Sequence, residues 1–292
     1  MKIPKRIQPL VEEGLVDAVI RQLMSGKEAT VYVVRCGEEI RCAKVYKEAS
    51  QRSFRQAASY QEGRKVRNSR QARAMEKGSR YGRKMQEEVW QNAEVDALYR
   101  LAAAGVRVPK PYICFEGVLL MDLVTDASGH VAPRLNDVEL TEEMALKYHA
   151  QLLQQVVLML CAGVIHGDLS EYNILVDSEG PVIIDLPQAI DAAGNTEAAA
   201  MLERDVDNLA SYFSRFAPQL TATQYGKEIW QLYGAGLLNP ETVLTGHIAV
   251  DERPADVGAV LREIEIARKE EEARLRHQQE MQELASGTRA YR

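Results

Sequence analysis

The first part of the chain contains short runs rich in apolar and β-branched residues, a pattern that is typical of β-strands. Four such runs are bounded by turn residues: Val31–Cys36, Ile40–Tyr46, Tyr112–Phe115 and Val118–Val124. Turns at Gly37 and at Glu116–Gly117 predict two hairpins. The run Asp17–Leu23 fits either a helix end or an entering strand. These runs predict a small antiparallel sheet.

Further along the chain the apolar positions take helical spacing. Trp90–Ala104 predicts a helix that ends at Gly105. A second helix is predicted from Thr141 to just before Gly163, and a third pattern of helical spacing covers residues 201–213. The buried stripe expected on the second helix consists of Leu146, Leu152, Leu153, Val156, Val157 and Leu160.

Composition narrows the class of protein. The chain has 292 residues, of which 46% are hydrophobic, so it can form one large domain or two lobes that share a core. A formal net charge of −6 argues against a nucleic-acid binder by overall charge. The four cysteines include no C-x-x-C pair, which favours reduced thiols, no zinc site and a cytoplasmic location. The longest apolar run, residues 156–165, is too short to span a membrane.

The polar loop between two apolar runs at residues 164–186 carries the strongest chemical signal. Asp168 and Asn173 are five positions apart, as in the catalytic loop of kinases, and Asp185 ends the second apolar run. Phosphoryl transfer requires a proton acceptor for the nucleophile and hard oxygen ligands for Mg²⁺. We therefore interpret Asp168 as a candidate base, and Asn173 and Asp185 as candidate metal ligands. The alternative is a surface turn with ordinary Asx residues.

A small-residue turn precedes the first hairpin. Ser25, Gly26 and Lys27 lie between two runs that fit strands, where backbone N–H groups suit phosphate oxygens. The turn is not a Walker A loop, because its earlier glycine is absent and Glu28 stands where Ser or Thr would hold Mg²⁺.

Lys44 lies between apolar neighbours inside a predicted strand and needs a partner, because an unpaired buried charge is costly. Glu94 on the following helix is the candidate partner, and Glu87 and Glu88 are the alternatives. A lysine on an edge strand that faces water is the other interpretation.

At these residues the chain resembles the RIO family of atypical serine/threonine protein kinases. Residues 166–175, His-Gly-Asp-Leu-Ser-Glu-Tyr-Asn-Ile-Leu, are similar to that family's catalytic loop. Residues 184–189, Ile-Asp-Leu-Pro-Gln-Ala, look like its metal-binding segment, and residues 25–29 differ at one position from its phosphate-binding loop. The resemblance extends over roughly residues 20–215.

The resemblance implies an α+β, bilobal, protein-kinase-like fold of RIO type. A small antiparallel sheet with one key helix would form the N-lobe, and a mostly helical C-lobe would lack an activation loop and a peptide-docking subdomain. The implied boundaries are an N-lobe at 1–121 with a flexible basic insert at about 47–85, a hinge at 122–125, a C-lobe at 126–255 and a charged helical tail at 256–292.

The resemblance also implies ATP with Mg²⁺, or Mn²⁺, as cofactors. It gives catalytic roles to Asp168, Asp185 and Lys44, and it makes Asn173 and Asp185 the metal ligands. The residues implied at the nucleotide are Ser25, Gly26, Lys27, Glu28, Ala29, Lys44, Glu94, Met121, Asp122 and Val124.

The expected activity is phosphoryl transfer to serine or threonine of a protein, including the chain itself. Two alternatives are a slow ATPase that switches ribosome or ribonucleoprotein assembly, and a small-molecule phosphotransferase of the aminoglycoside type. Basic residues crowd positions 52–84, which suggests RNA or a ribosomal particle as a partner, whereas a solvated insert explains the same charges. No membrane partner is expected.

Overall fold

A computed structural model describes residues 3–26, 29–47 and 93–248. Several sequence predictions lie outside these residues: Lys27 and Glu28 of the small-residue turn, the basic segment 52–84 and the tail at 256–292.

Five antiparallel strands form one sheet in the order β1-β2-β3-β5-β4. The strands are β1 (Ala18–Ser25), β2 (Ala29–Cys36), β3 (Glu39–Tyr46), β4 (Pro111–Phe115) and β5 (Val118–Asp122). Both predicted hairpins are present, and the second turns through Glu116 and Gly117, whose φ angles are 50° and 71°.

Strand β5 is shorter than the sequence predicted. It ends at Asp122 rather than at Val124. The chain leaves the sheet at this point because the Val124 carbonyl accepts a hydrogen bond from the amide of Ala132, 3.0 Å away, in the segment that follows.

The two faces of the sheet pack against different helices, as the period of two requires. On one face Val34, Ala43, Val118 and Leu120 pack with α1 (Gln8–Glu12), which buries Leu10. The other face, which includes Tyr46 and Leu119, shares a core with α2 (93–103) and with the rest of the chain.

The remaining part of the chain is mostly helical. Thr141 caps α3 (Glu142–Cys161) by accepting a hydrogen bond from the amide of Met144. The other elements are β6 (Val164–Ile165), β7 (Ile174–Val176), β8 (Pro181–Ile183), β9 (Ile190–Asp191), α4 (Ala198–Phe213) and α5 (Tyr225–Gly234). Strand β6 pairs with β9, and β7 pairs with β8. The polar loop at 166–173 connects β6 to β7, so the two strand pairs fix both of its ends.

Only residues 192–197 separate β9 from α4, so this part of the chain has no room for a long activation loop. The antiparallel sheet, followed by a mostly helical part, confirms the predicted α+β architecture. Within the described residues, no helix is both long and apolar enough to cross a membrane.

The core of the helical part contains an ionisable group, which gives a prediction about acid stability. His149 of α3 is 2% exposed, and its ring lies against Phe213 and Tyr225. Burial lowers the pKa of His149 to about 4. Because this folded-state pKa is depressed, the stability it contributes is present above the unfolded pKa of roughly 6.5. That stability is lost as the pH falls towards 4.

We expect His149→Leu to make the free energy of unfolding less sensitive to pH between 6.5 and 4. Over this pH range, the free energy of unfolding of the wild type should fall by on the order of 3 kcal/mol more than that of the variant. Urea unfolding at several pH values measures it, with His130→Leu, at an exposed position, as the control. Parallel pH curves for wild type and His149→Leu would contradict the assignment.

Candidate active site

A buried ion cluster joins three distant parts of the chain. Lys44 lies on β3, the central strand of the sheet, and is 8% exposed. Its Nζ donates to Glu94 Oε1 of α2 at 2.5 Å and to Asp185 Oδ1, just after β8, at 2.9 Å. The structure therefore joins Lys44 to its predicted partner Glu94 and adds Asp185, which the sequence analysis selected as a candidate metal ligand.

The cluster fixes the charge states of its members. Burial by itself lowers the pKa of Lys44, but the carboxylates of Glu94 and Asp185 outweigh it and hold that pKa well above its usual value. Desolvation raises the pKa of Asp185, but the Lys44 ammonium outweighs it and leaves that pKa below its usual value. Lys44 is therefore a cation and Asp185 an anion at neutral pH.

Asp185 has an uncommon backbone conformation. Its φ is 68°, in the left-handed region, and Glu116 is the other non-glycine residue with positive φ in the described part of the chain. Such a conformation costs about 1–2 kcal/mol, although Asp tolerates it better than most residues. The side chain remains 46% exposed while one of its oxygens contacts Lys44.

Asp168 lies in the polar loop and is accessible to solvent. Its Oδ2 accepts a hydrogen bond from Gln188 Nε2 at 3.3 Å, and its amide donates to His166 Nδ1 at 3.3 Å. His166 is buried, and its Nε2 lies 3.1 Å from the carbonyl oxygen of Ile184, so it orients the loop rather than facing a substrate. Desolvation raises the pKa of Asp168, against the opposing charges of His166 and Arg204, and the charge of Asp185 raises it further.

Side chains of α4 hold the backbone of the polar loop around Asp168 in place. Asp205 is 1% exposed, and its two carboxylate oxygens accept from the amides of Gly167 at 2.7 Å and Leu169 at 2.9 Å. Arg204 and Asn208 of the same helix donate to the carbonyls of Gly167 and Leu169. Backbone groups on both sides of Asp168 are therefore fixed.

Asn173 and Asp185 are the candidate metal ligands. Asn173 Nδ2 donates to the Asp168 carbonyl at 2.8 Å, which leaves Oδ1 as the free acceptor. No group of three or more His, Cys, Asp or Glu side chains within the described residues would hold a metal by itself. Mg²⁺ in nucleotide sites commonly takes one or two protein oxygens together with phosphates and water, so this pair of hard oxygen donors fits Mg²⁺.

The small-residue turn lies between β1 and β2. Ser25 ends β1, and the amide of Gly26 donates to the Ala29 carbonyl at 2.9 Å. Ala29 already belongs to β2 and is buried, so its side chain packs in the core rather than facing the turn. Lys47 reaches this turn from the end of β3, a contact that the sequence analysis did not predict.

The predicted hinge residues have mixed surroundings. Met121 is partly buried and packs against the main core. The carboxylate of Asp122 accepts from the hydroxyl of Tyr112 at 2.5 Å and from the amide of Lys110 at 3.3 Å. The Val124 carbonyl accepts a hydrogen bond from the amide of Ala132.

These features define a class of protein. The arrangement is that of the protein kinases: a lysine on the third strand of an antiparallel sheet, a glutamate on a helix further along the chain, and an Asp-x4-Asn loop followed by a second aspartate. Residues 30–225 match the family model of the RIO domain, and the chain belongs to that family.

Named relatives give the same result. The RIO-type serine/threonine-protein kinase Rio1 of Haloferax volcanii is 33% identical over 215 residues, covering 72% of this chain and 68% of that protein. The Thermoplasma acidophilum protein of the same name is 36% identical over 127 residues, 44% of this chain and 64% of that protein. Human serine/threonine-protein kinase RIO1 is 30% identical over 208 residues, 70% of this chain but only 35% of the human protein.

Asp205 gives a prediction about how the loop is held. Asp205→Ala removes the carboxylate that accepts from the amides of Gly167 and Leu169, which should lower the free energy of unfolding by about 1–3 kcal/mol for each buried hydrogen bond that is lost. Amide hydrogen exchange at residues 166–169 should become faster. Asp207→Ala, an exposed aspartate on the same helix, should change neither quantity. Unchanged exchange in Asp205→Ala would show that other contacts hold the loop.

Proposed function

We propose that this chain is an ATP- and Mg²⁺-dependent protein kinase of the RIO type, which transfers a phosphoryl group to serine or threonine, including residues of the chain itself. The observation that carries the proposal is the ion cluster, in which Lys44 contacts both Glu94 and Asp185. The names of the relatives favour this activity over a small-molecule phosphotransferase and over an ATPase switch.

The proposal assigns the role of base to Asp168. Gln188 donates to Oδ2 and the side chain of Asn173 also interacts with the carboxylate, so both orient the group that would accept the proton of an incoming hydroxyl. The pKa of Asp168 is raised, and a protonated carboxyl group cannot accept a proton. The turnover rate should therefore fall as the pH drops through the pKa of Asp168.

The proposal assigns metal binding to Asn173 Oδ1 and Asp185 Oδ2. A bound Mg²⁺ neutralises charge on the phosphates when it is present. Lys44 contributes a fixed positive charge, and Glu94 holds its ammonium in place. The segment after Met121, with the Val124 amide, would contact the adenine, and the turn at Ser25 and Gly26 would lie over the phosphates.

Substitution of the proposed base tests this function. We expect Asp168→Ala to reduce phosphoryl transfer by about 10²–10⁴-fold, because general base catalysis contributes that much. The assay follows the transfer of label from γ-labelled ATP, with Mg²⁺, to protein and to free phosphate. Asp207→Ala, an exposed aspartate outside the proposed site, serves as the control and should retain the wild-type rate.

Stable label on serine or threonine that disappears in Asp168→Ala would support a protein kinase. Free phosphate without stable protein label would favour the ATPase alternative. An unchanged rate in Asp168→Ala would remove the base assignment.

We also propose that the basic segment 52–84 binds RNA or a ribosomal particle. The proposal rests on sequence charge alone, because these residues lie outside the described part of the structure. Replacing Arg64, Lys65 and Arg67 by Gln should weaken co-sedimentation with ribosomal subunits and lower its salt dependence. The control replaces three exposed basic residues elsewhere, Arg35, Lys147 and Lys227. Co-sedimentation insensitive to salt and to the first set would contradict the proposal.

A further inference from the structure

Lys47 connects the end of β3 to the turn between β1 and β2. Its Nζ donates to the Gly26 carbonyl at 2.6 Å and to Ser25 Oγ at 3.1 Å. Within the turn, Ser25 Oγ lies 3.2 Å from Thr30 Oγ1, so the hydroxyl that receives Lys47 is itself held in place. The ammonium is therefore positioned at the turn rather than free in water.

The surroundings of Lys47 differ from those of Lys44. Lys44 contacts two carboxylates, whereas the two contacts of Lys47 among the described residues are both with neutral oxygens. An ammonium carries three N–H donors, and two are used here. Among the described residues, one donor and the positive charge of Lys47 are therefore left without a partner at the turn.

The charge of the proposed site explains what this lysine would bind. Lys44, Glu94 and Asp185 together carry one excess negative charge, which repels a polyphosphate until metal binds. The loop from Asp168 to Asn173 contains no basic residue that could offset this charge. Arg134 lies near Asp185 and Lys27 belongs to the turn itself, and Lys47 adds a further positive charge at the turn that would lie over the phosphates.

We propose that Lys47 is a second phosphate-binding lysine, whose third N–H donates to an oxygen of the β- or γ-phosphate of a bound nucleotide while the other two hold the turn. This assignment rests on the proposed function, because it requires the nucleotide to lie under the turn. With this contact, Lys47 makes the site bind nucleotides that carry phosphates more tightly than the bare nucleoside.

Equilibrium binding without turnover tests the assignment. Titration calorimetry with Mg²⁺ would compare ADP, a non-hydrolysable ATP analogue and adenosine on the full chain. We expect Lys47→Met to weaken ADP and the ATP analogue about tenfold or more, the effect of losing a charge-assisted hydrogen bond. Adenosine affinity should not change. Lys47→Arg should retain most of the nucleotide affinity, because it retains the charge.

Lys147→Met, which removes an exposed lysine of α3, should leave all three affinities unchanged. Equal weakening of adenosine and ADP by Lys47→Met would overturn the assignment, since it would mean that Lys47 only supports the turn. Unchanged ADP affinity would overturn it as well. If wild type bound neither ADP nor the ATP analogue, the proposed function itself would fail, an outcome distinct from a wild type that binds both without help from Lys47.

Discussion

The buried positive charge of Lys44 must be compensated, and this need determines how the sheet meets the segments that carry Glu94 and Asp185. Lys44 lies on the central strand of the sheet, where an unpaired ammonium would be strongly destabilising. Its two carboxylate partners lie 50 and 141 positions away along the chain. Satisfying this charge therefore brings β3, α2 and the segment after β8 to one point. The strained backbone of Asp185 is tolerated there because its carboxylate is part of the cluster.

The same surroundings give two neighbouring aspartates different proton affinities. The Lys44 ammonium outweighs desolvation at Asp185 and lowers its pKa, whereas desolvation dominates at Asp168 and raises its pKa. A carboxylate that stays ionised suits metal binding, and one with a higher proton affinity suits proton acceptance. Asp205 supports this division indirectly, because it fixes the backbone on both sides of Asp168.

Local patterns were sufficient to predict the hairpins and the main helices, whereas Glu94 was selected as the partner of Lys44 from the known kinase arrangement. Short apolar runs, turn residues and spacing within one loop all act over short distances, so they are visible in the sequence. The contacts of Gln188 with Asp168 and of Lys47 with Gly26 were not predicted, because each joins residues about 20 positions apart through the folded backbone. The end of β5 was also misplaced, since it depends on a hydrogen bond between Val124 and Ala132 that no propensity indicates.

Asp185 links metal binding to the position of Lys44 in the proposed site. Its Oδ1 accepts from the ammonium, and its Oδ2 is the atom available to a cation. A metal held at Oδ2 would compete with Lys44 for the charge of this carboxylate, whereas Glu94 would still hold the lysine on the sheet. One N–H donor of Lys44 would then be available to a phosphate oxygen while Glu94 stayed its buried partner. In the proposed site, a lysine with two carboxylate partners would therefore keep one contact and exchange the other, which a lysine with a single partner would not do.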